Sequence, residues 1–229
     1  MTANQDTWKN IGSSKTNSVD NTTRKEVHVE SDYGLTVGFE VNDNDAFVND
    51  VQNLDKDYGH AFFYLTKNYE VLEFFSFGPS GLGQQGKFVS PYQNERPGTP
   101  DYPVSEAIKL FRLKLTQAQA QSLLKDTEKI RGEIISGKRK YTAYLNDTCA
   151  ETARDIIKKT IPNIPDGSGQ VKFAGHNSII SVVNPYMWHK NFKAKYKEIS
   201  RYSLGYDAKQ ILPKGSGDPV ASEPFETIK

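Results

Sequence analysis

The single cysteine of the chain, Cys149, is the residue best placed to do chemistry. Thr148 precedes it and Glu151 follows, and a Thr-x-x-Glu spacing is typical of a capping box with Thr148 as the N-cap. The pattern predicts a helix that begins at Cys149 and ends before Pro162. Free N–H groups and the positive helix end would then favour the thiolate and stabilise an oxyanion. We expect a nucleophile, the alternative being a buried thiol that acts as a small hydrophobic residue.

A cysteine hydrolase also needs a base that accepts and returns a proton, and the chain has four histidines. His60 follows Gly59 and opens an apolar stretch, where a buried strand would hold its ring rigidly. His28 lies in an alternating stretch typical of an exposed strand, His189 in a segment that resembles an amphipathic surface turn, and His176 in a region without a clear pattern. We expect His60 to be the base, the alternative being a hydrogen-bonded histidine at a strand end.

The elements that must position these two residues can be predicted from composition. Residues 59–78 form a hairpin by composition, with aromatic and aliphatic strands around a polar turn at 67–68. A strand at 107–115 leads into a second capping box, Thr116 to Gln119, and into a helix that ends near Ile135. Strands followed by helices predict an α+β fold, with an antiparallel sheet packed against the helix that carries the cysteine.

Composition limits the remaining possibilities. The 229 residues suffice for one core, and we expect a polar tail at 1–25, a catalytic domain at 26–206 and a second tail at 207–229. The net charge of +1 predicts no nucleic-acid partner, and no apolar run is long enough for a transmembrane segment. Because the chain has a single cysteine and lacks a His-Glu-x-x-His motif, we expect no zinc site and no cofactor.

Three short motifs together resemble a known group of enzymes. They are Gly-His-Ala-Phe-Phe at 59–63, the aromatic, glycine- and proline-containing stretch at 75–79, and Asn-Asp-Thr-Cys-Ala-Glu-Thr-Ala at 146–153. The order, with the histidine strand first and the cysteine helix later, is similar to the circularly permuted branch of the NlpC-type papain-like cysteine peptidases and amidases. The resemblance covers residues 58–160, less than half of the chain. It implies a permuted papain-like fold.

The resemblance also implies roles for individual residues. Cys149 corresponds to the nucleophile and His60 to the base. A third group, which orients the imidazole, often lies on the strand after the histidine strand in such proteins, and Glu73 is the best-placed polar residue there. A carboxylate in this position fixes the tautomer and stabilises the imidazolium. Asp50 and Asp57, upstream of the histidine, are alternatives, and Glu73 is also consistent with a solvated strand carboxylate.

Two further residues precede the cysteine helix. Tyr144 and Asn146 are candidate donors to the oxyanion.

Relatives implied by the resemblance include toxins delivered by type VI secretion, which cleave peptidoglycan peptides in the periplasm and are paired with an immunity protein. The start of the chain lacks an apolar signal segment. We therefore expect synthesis in the cytoplasm without a signal peptide, a secretion-machinery carrier, and delivery to the periplasm of a target cell.

Two other classes of function stay open at this stage. Permuted relatives include lipid acyltransferases similar to lecithin–retinol acyltransferase, and a thioesterase-like activity would use the same residues. Such enzymes need apolar access for a lipid, for which 179–188 is the only candidate segment. The other class is a non-catalytic binding module in which Cys149 is buried. A reactive thiol would separate this module from an enzyme.

Overall fold

Four antiparallel strands form the sheet from which the candidate base projects. In the computed structural model, which describes residues 32–68, 70–80, 96–104, 108–142, 147–173 and 176–199, the strand order is β5-β4-β1-β8. The strands are β1 (Tyr33–Glu40), β4 (His60–Lys67), β5 (Glu70–Phe75) and β8 (Lys109–Leu115). Strands β1 and β4 lie in the centre and are buried along nearly their whole length, which explains why their sequences are apolar on both faces.

A second sheet combines chain segments that are far apart in sequence. Its order is β10-β9-β3-β2, in which β3 runs parallel to β9 and the other neighbours are antiparallel. The strands are β2 (Phe47–Val48), β3 (Val51–Asn53), β9 (Ser168–Phe173) and β10 (His176–Val183). A 3-10 helix (Asn44–Ala46) precedes β2, and β6 (Gly78–Pro79) pairs with β7 (Gly98–Thr99).

Three helices complete the described part of the chain: α1 (Gln117–Ile135), α2 (Cys149–Thr160) and α3 (Pro185–Lys195). Thr116 and Gln119 exchange both bonds of a capping box at the start of α1. Proline at the first position of α3 follows the N-cap Asn184, whose side chain accepts a hydrogen bond from the third helical N–H. Each helix therefore begins at a residue whose side chain satisfies a free N–H group.

Alternation along β4 divides the core into two faces. Ala61, Phe63 and Leu65 belong to the large cluster that also contains the buried residues of α1, α2 and α3. Phe62 and Tyr64 belong to a smaller cluster on the opposite face. Successive side chains of a strand point to opposite faces, so α2 packs on the Ala61 face. This division determines how the candidate nucleophile and base approach one another.

Much of this architecture agrees with the sequence-based predictions. The α+β class with an antiparallel sheet, the β4–β5 hairpin and the two helix starts at 117 and 149 are confirmed. The strand predicted at 107–115 is observed at Lys109–Leu115. Both predicted tails, 1–25 and 207–229, lie outside the described residues. Within the described ranges, no helix has the length and apolar character needed to cross a bilayer.

One prediction for the C-terminal part of the domain is wrong. The segment around His189 is not a surface turn but part of α3, and the neighbouring Trp188 is fully buried. Its indole N–H donates to the carbonyl of Pro165 at 2.8 Å. The aromatic residues of α3 pack on Phe39 of β1, and this long-range contact cannot be predicted from local pattern alone.

Two glycines provide a test of this packing. A Cβ on Gly38 would lie 2.2 Å from the ring of Phe62, which is fully buried, whereas Gly132 in α1 has nothing within 4 Å. We expect Gly38→Ala to lower the free energy of unfolding by about 1–3 kcal/mol. Gly132→Ala, the matched control, should raise it by about 0.5–1 kcal/mol because alanine favours the helix. Urea unfolding of the two variants measures both, and equal effects would contradict the described packing.

Candidate functional site around Cys149

Helix α2 begins at the cysteine, as the capping pattern predicts. The Thr148 hydroxyl accepts a hydrogen bond from the Glu151 N–H at 3.1 Å. Before the cap, Asp147 has a positive φ of 46° and its carboxylate pairs with Arg139, which also contacts Glu133 of α1. These contacts tie the start of α2 to α1, so the first turn of α2 has a defined position against the sheet.

Three hydrogen-bond donors surround the sulfur of Cys149. They are the backbone N–H groups of Ala61 and Ala150 and the hydroxyl of Tyr141. Ala150 belongs to the first turn of α2, as expected for a free helix-start N–H. Ala61 is the second residue of β4, directly after His60. The fold thus brings the sulfur to the backbone of the residue next to the candidate base.

The thiol is nevertheless neutral in this arrangement. Cys149 is 4% exposed, and burial raises its pKa to about 11, with the Glu40 carboxylate adding to the increase. The donors from Ala61, Ala150 and Tyr141 act in the opposite direction but do not prevail. The helix-start donor therefore favours the thiolate as expected, but the neutral thiol prevails, because desolvation disfavours the charged form more strongly than the donors stabilise it.

His60 is the first residue of β4 and is 7% exposed. Its Nε2 forms a hydrogen bond of 2.7 Å with the Ser76 hydroxyl. The ring centroid lies 5.2 Å from that of Tyr102 and 6.3 Å from that of Phe62, with which it stacks. Burial lowers the pKa of His60 to about 3. The imidazole is consequently neutral at physiological pH.

The two predicted catalytic residues are neighbours without being bonded. Among the described residues, no hydrogen bond joins the imidazole of His60 to Cys149. Nε2 contacts Ser76, and the ring stacks on Phe62, on the face of β4 opposite to Ala61 and Cys149. The sulfur meets the chain at the Ala61 N–H, and Nδ1 is the ring nitrogen on the backbone side of the imidazole. The structure therefore brings the sulfur to the backbone next to His60, while the imidazole ring is directed at Ser76.

The prediction that Glu73 orients His60 is wrong. Glu73 pairs with Leu65 in the β4–β5 register, and five residues of strand place Leu65 about 16 Å from His60. The Glu73 carboxylate forms an ion pair of 2.7 Å with Arg131 of α1, which also binds Asp101. Glu73 therefore connects β5 to α1.

The alternative carboxylates do not contact His60 either. Asp57 accepts a hydrogen bond from the Gly59 N–H at 3.0 Å and another from the Tyr186 hydroxyl. It thus holds the turn before His60, in which Gly59 has a φ of 61°. Asp50 accepts a bond from Lys190 of α3. Asp57 therefore supports the position of His60 through the backbone of Gly59, whereas Asp50 contacts Lys190 and has no hydrogen bond to His60 among the described residues.

Tyr144 and Asn146, the predicted oxyanion donors, lie outside the described residues. Two residues near the site escaped the sequence analysis, namely Ser76 at the imidazole and Tyr141 at the sulfur. Ser76 is the only polar residue in the run Phe-Phe-Ser-Phe at 74–77 and is fully buried, and this interruption was an available signal. Tyr141 carried no such signal, because its contact with Cys149 depends on tertiary structure.

A cleft opens beside the sulfur between α2 and the second sheet. It is open to solvent, and its volume is about 310 Å³ when the open space at its mouth is counted. Its apolar walls are contributed chiefly by Leu54, Tyr58, Val171, Val182 and Pro185, and Tyr141, Thr148 and Cys149 lie along its edge. His60 is not among the lining residues. A ligand in this cleft would meet the sulfur from the side of the second sheet.

The described ranges contain no group of three or more His, Cys, Asp and Glu side chains arranged to hold a metal ion. Comparison with known proteins does not extend the description of the site. No protein-family model matches the chain, and neither the curated proteins nor the solved structures contain a match.

The state of the thiol can be tested by its alkylation rate. With a pKa near 11, the rate of reaction with iodoacetamide should rise about tenfold per pH unit and still be rising at pH 10. Tyr141→Phe should lower the rate at pH 9 by about two- to tenfold, because one donor to the thiolate is lost. Tyr33→Phe, on the far end of β1, serves as the control. A plateau below pH 8 would contradict a neutral resting thiol.

The buried imidazole predicts a stability that depends on pH. Between the unfolded pKa of 6.5 and the folded value near 3, the unfolded chain binds a proton at His60 that the folded chain excludes. Stability is therefore complete above pH 6.5 and decreases as pH falls, by roughly 1 kcal/mol between pH 6.5 and 5.5. His60→Gln should remove this part of the decrease in urea unfolding experiments. An unchanged slope in His60→Gln would show that the ring is protonated in the folded protein.

Proposed function

We propose that this chain is a cysteine hydrolase that cleaves amide bonds, with Cys149 as nucleophile and His60 as base. The observation that carries the proposal is the convergence of three donors on the sulfur at the start of α2, one of them the Ala61 N–H beside His60. A cysteine that only fills the core gains nothing from such a set of donors. Hydrogen-bond donors to the sulfur stabilise the thiolate, which is the nucleophilic form.

The base role depends on how the imidazole is held. In the tautomer in which Nε2–H donates to the Ser76 hydroxyl, the lone pair on Nδ1 is free to accept the thiol proton. The ring stacks on Phe62, on the face of β4 opposite to Ala61 and Cys149, so the proposal requires it to swing past the start of β4 for Nδ1 to meet the sulfur. In the observed position of the ring, Ser76 takes the orienting place that Glu73 was expected to occupy. It is a positioning residue, since it acts through the imidazole.

The reaction follows from these positions. As Nδ1 takes the thiol proton, the sulfur attacks the amide carbonyl carbon, and the imidazolium then protonates the departing amine while the C–N bond breaks. Water, deprotonated by the neutral imidazole, hydrolyses the thioester and restores the thiol. The Cys149 N–H at the helix start and the Tyr141 hydroxyl, which already contacts the sulfur, are the proposed donors to the oxyanion.

The biological setting is proposed from the sequence resemblance. The strand that carries His60 precedes the helix that carries Cys149, in the order of the circularly permuted papain-like fold. We accordingly propose a peptidoglycan endopeptidase or amidase that acts as a secreted antibacterial toxin. Delivery to the target periplasm by a secretion-machinery carrier, and neutralisation by an immunity protein, belong to the same proposal.

A second candidate is a non-catalytic binding module. The buried thiol with its pKa raised to about 11 favours it, as does the bond that directs the His60 ring to Ser76. In that case Cys149 and His60 stabilise the core and the cleft binds without turnover. Activity measurements on the two residues separate the candidates.

Substitution of the nucleophile gives the direct test. Purified peptidoglycan is incubated with the wild-type protein, Cys149→Ala and His60→Ala, and the released fragments are identified by mass. Loss of either residue should lower kcat by about 10³-fold or more. Gly132→Ala in α1, where the added Cβ has nothing within 4 Å, serves as the control. A folded Cys149→Ala protein that still cleaves would refute the assignment, and an inactive wild-type protein would favour the binding module.

The choice between Ser76 and Glu73 can be tested with a matched pair. Ser76→Ala removes the bond to Nε2, so kcat/KM for peptidoglycan should fall by about tenfold, and the acid limb of its pH profile should shift. Glu73→Gln breaks the ion pair with Arg131 and should lower stability while leaving the pH profile unchanged. The reverse pattern would restore Glu73 as the orienting group.

A further inference from the structure

Two residues that line the Cys149 cleft each have a buried polar side-chain atom without a hydrogen-bond partner among the described residues. The two atoms are Oε1 of Gln52 and Nδ2 of Asn184. Gln52 is 0% exposed and Asn184 is 2% exposed, and both side chains line the cleft that contains Cys149. Buried polar groups are nearly always hydrogen-bonded in folded proteins. Two such atoms near one candidate nucleophile indicate a ligand that supplies their missing hydrogen bonds.

The hydrogen-bonding character of Gln52 is determined by its other contacts. Its Nε2 donates to the carbonyl oxygens of Asp57 and Tyr58 at 2.9 and 2.8 Å. Only the amide nitrogen can donate to carbonyls, so the atom left without a partner is the oxygen. Gln52, a lining residue of the cleft, therefore has a buried hydrogen-bond acceptor that a ligand could satisfy.

Asn184 has the opposite character. Its Oδ1 accepts a hydrogen bond from the Met187 N–H at 2.8 Å and caps α3. The unpartnered atom is consequently the amide nitrogen, a donor. A Cβ on Gly169 of β9 would lie 2.8 Å from this nitrogen. The absence of a side chain at Gly169 therefore leaves space for Nδ2. Two residues that line the cleft thus carry one acceptor and one donor that have no partner among the described residues.

We propose that Gln52 and Asn184 are specificity-determining residues that bind a peptide or carboxamide segment of the substrate next to the scissile bond. Gln52 Oε1 accepts from a substrate N–H, and Asn184 Nδ2 donates to a substrate carbonyl oxygen. This proposal rests on the proposed function and adds its substrate class. An acyl ester of a lipid supplies the carbonyl but has no N–H for Gln52. The apolar cleft therefore discriminates against lipid esters, since binding one would leave the Gln52 oxygen buried without a partner.

The test uses Cys149 alkylation with two small probes that differ in one N–H group. The probes are 2-chloro-N-methylacetamide and 2-chloro-N,N-dimethylacetamide, and the ratio of their rates with N-acetylcysteine gives the intrinsic value. Both reactions are run at pH 9.5, so the thiolate fraction cancels in the ratio. In the wild-type protein the ratio should exceed the intrinsic value by about tenfold, because only the first probe donates to Gln52.

Two variants remove the recognising atoms and preserve the structural bonds. Asn184→Ser retains the helix cap but removes the amide N–H, and its shorter hydroxyl does not reach the Nδ2 position, so both rates should fall by about tenfold with the ratio unchanged. Gln52→Lys retains a donor for the Asp57 and Tyr58 carbonyls and lacks the acceptor, so the ratio should return to the intrinsic value. Asn191→Ser, on α3 with its amide bonded to Asp166, is the control and should match the wild type.

The outcomes separate this inference from the proposed function. A wild-type ratio equal to that of N-acetylcysteine overturns the recognition proposal, even if the protein digests peptidoglycan. A raised ratio that the Gln52 substitution abolishes supports it, even in a protein that cleaves nothing. The wild-type measurement alone decides the first case, so the proposal stays falsifiable if Gln52→Lys fails to fold.

Discussion

The burial of the first turn of α2 against the start of β4 is the constraint on which the site depends. The sulfur of Cys149 accepts from the Ala61 N–H, so helix and strand meet at one atom. The Asp57 carboxylate holds the Gly59 turn on the strand side, and Arg139 holds Asp147 on the helix side. Because both segments are held independently, the distance between Cys149 and the start of β4 is set by the scaffold rather than by the two side chains.

The same burial sets the electrostatics of the resting state. Desolvation raises the pKa of Cys149 to about 11 and lowers that of His60 to about 3, so both groups are neutral. Two neutral groups cost the folded protein less than a buried ion pair without further partners. Within the proposed function, substrate entry and rotation of the imidazole must supply the stabilisation that the charged pair requires. The fold thus holds Cys149 and His60 in their uncharged forms.

The second sheet gives the site its other wall. Strand β3 pairs in parallel with β9, which brings Gln52 from the N-terminal half beside residues that follow α2 in sequence. Asn184 reaches the same cleft because it caps α3 directly after β10. The amide groups are held by bonds to the backbone, and rigid polar groups of this kind discriminate between ligands more sharply than mobile ones.

The sequence by itself determined the local elements and both candidate reactive residues. Capping boxes and apolar strands act over a few residues, so the start of α2 at Cys149 and the strand start at His60 followed from pattern alone. The partners of these residues did not. Ser76 at the imidazole, Tyr141 at the sulfur, and the Arg131 contact that removes Glu73 from the site arise between elements. Only the tertiary structure decided them, as it decided the pKa of the thiol, because desolvation depends on everything packed around a group and not on its neighbours in sequence.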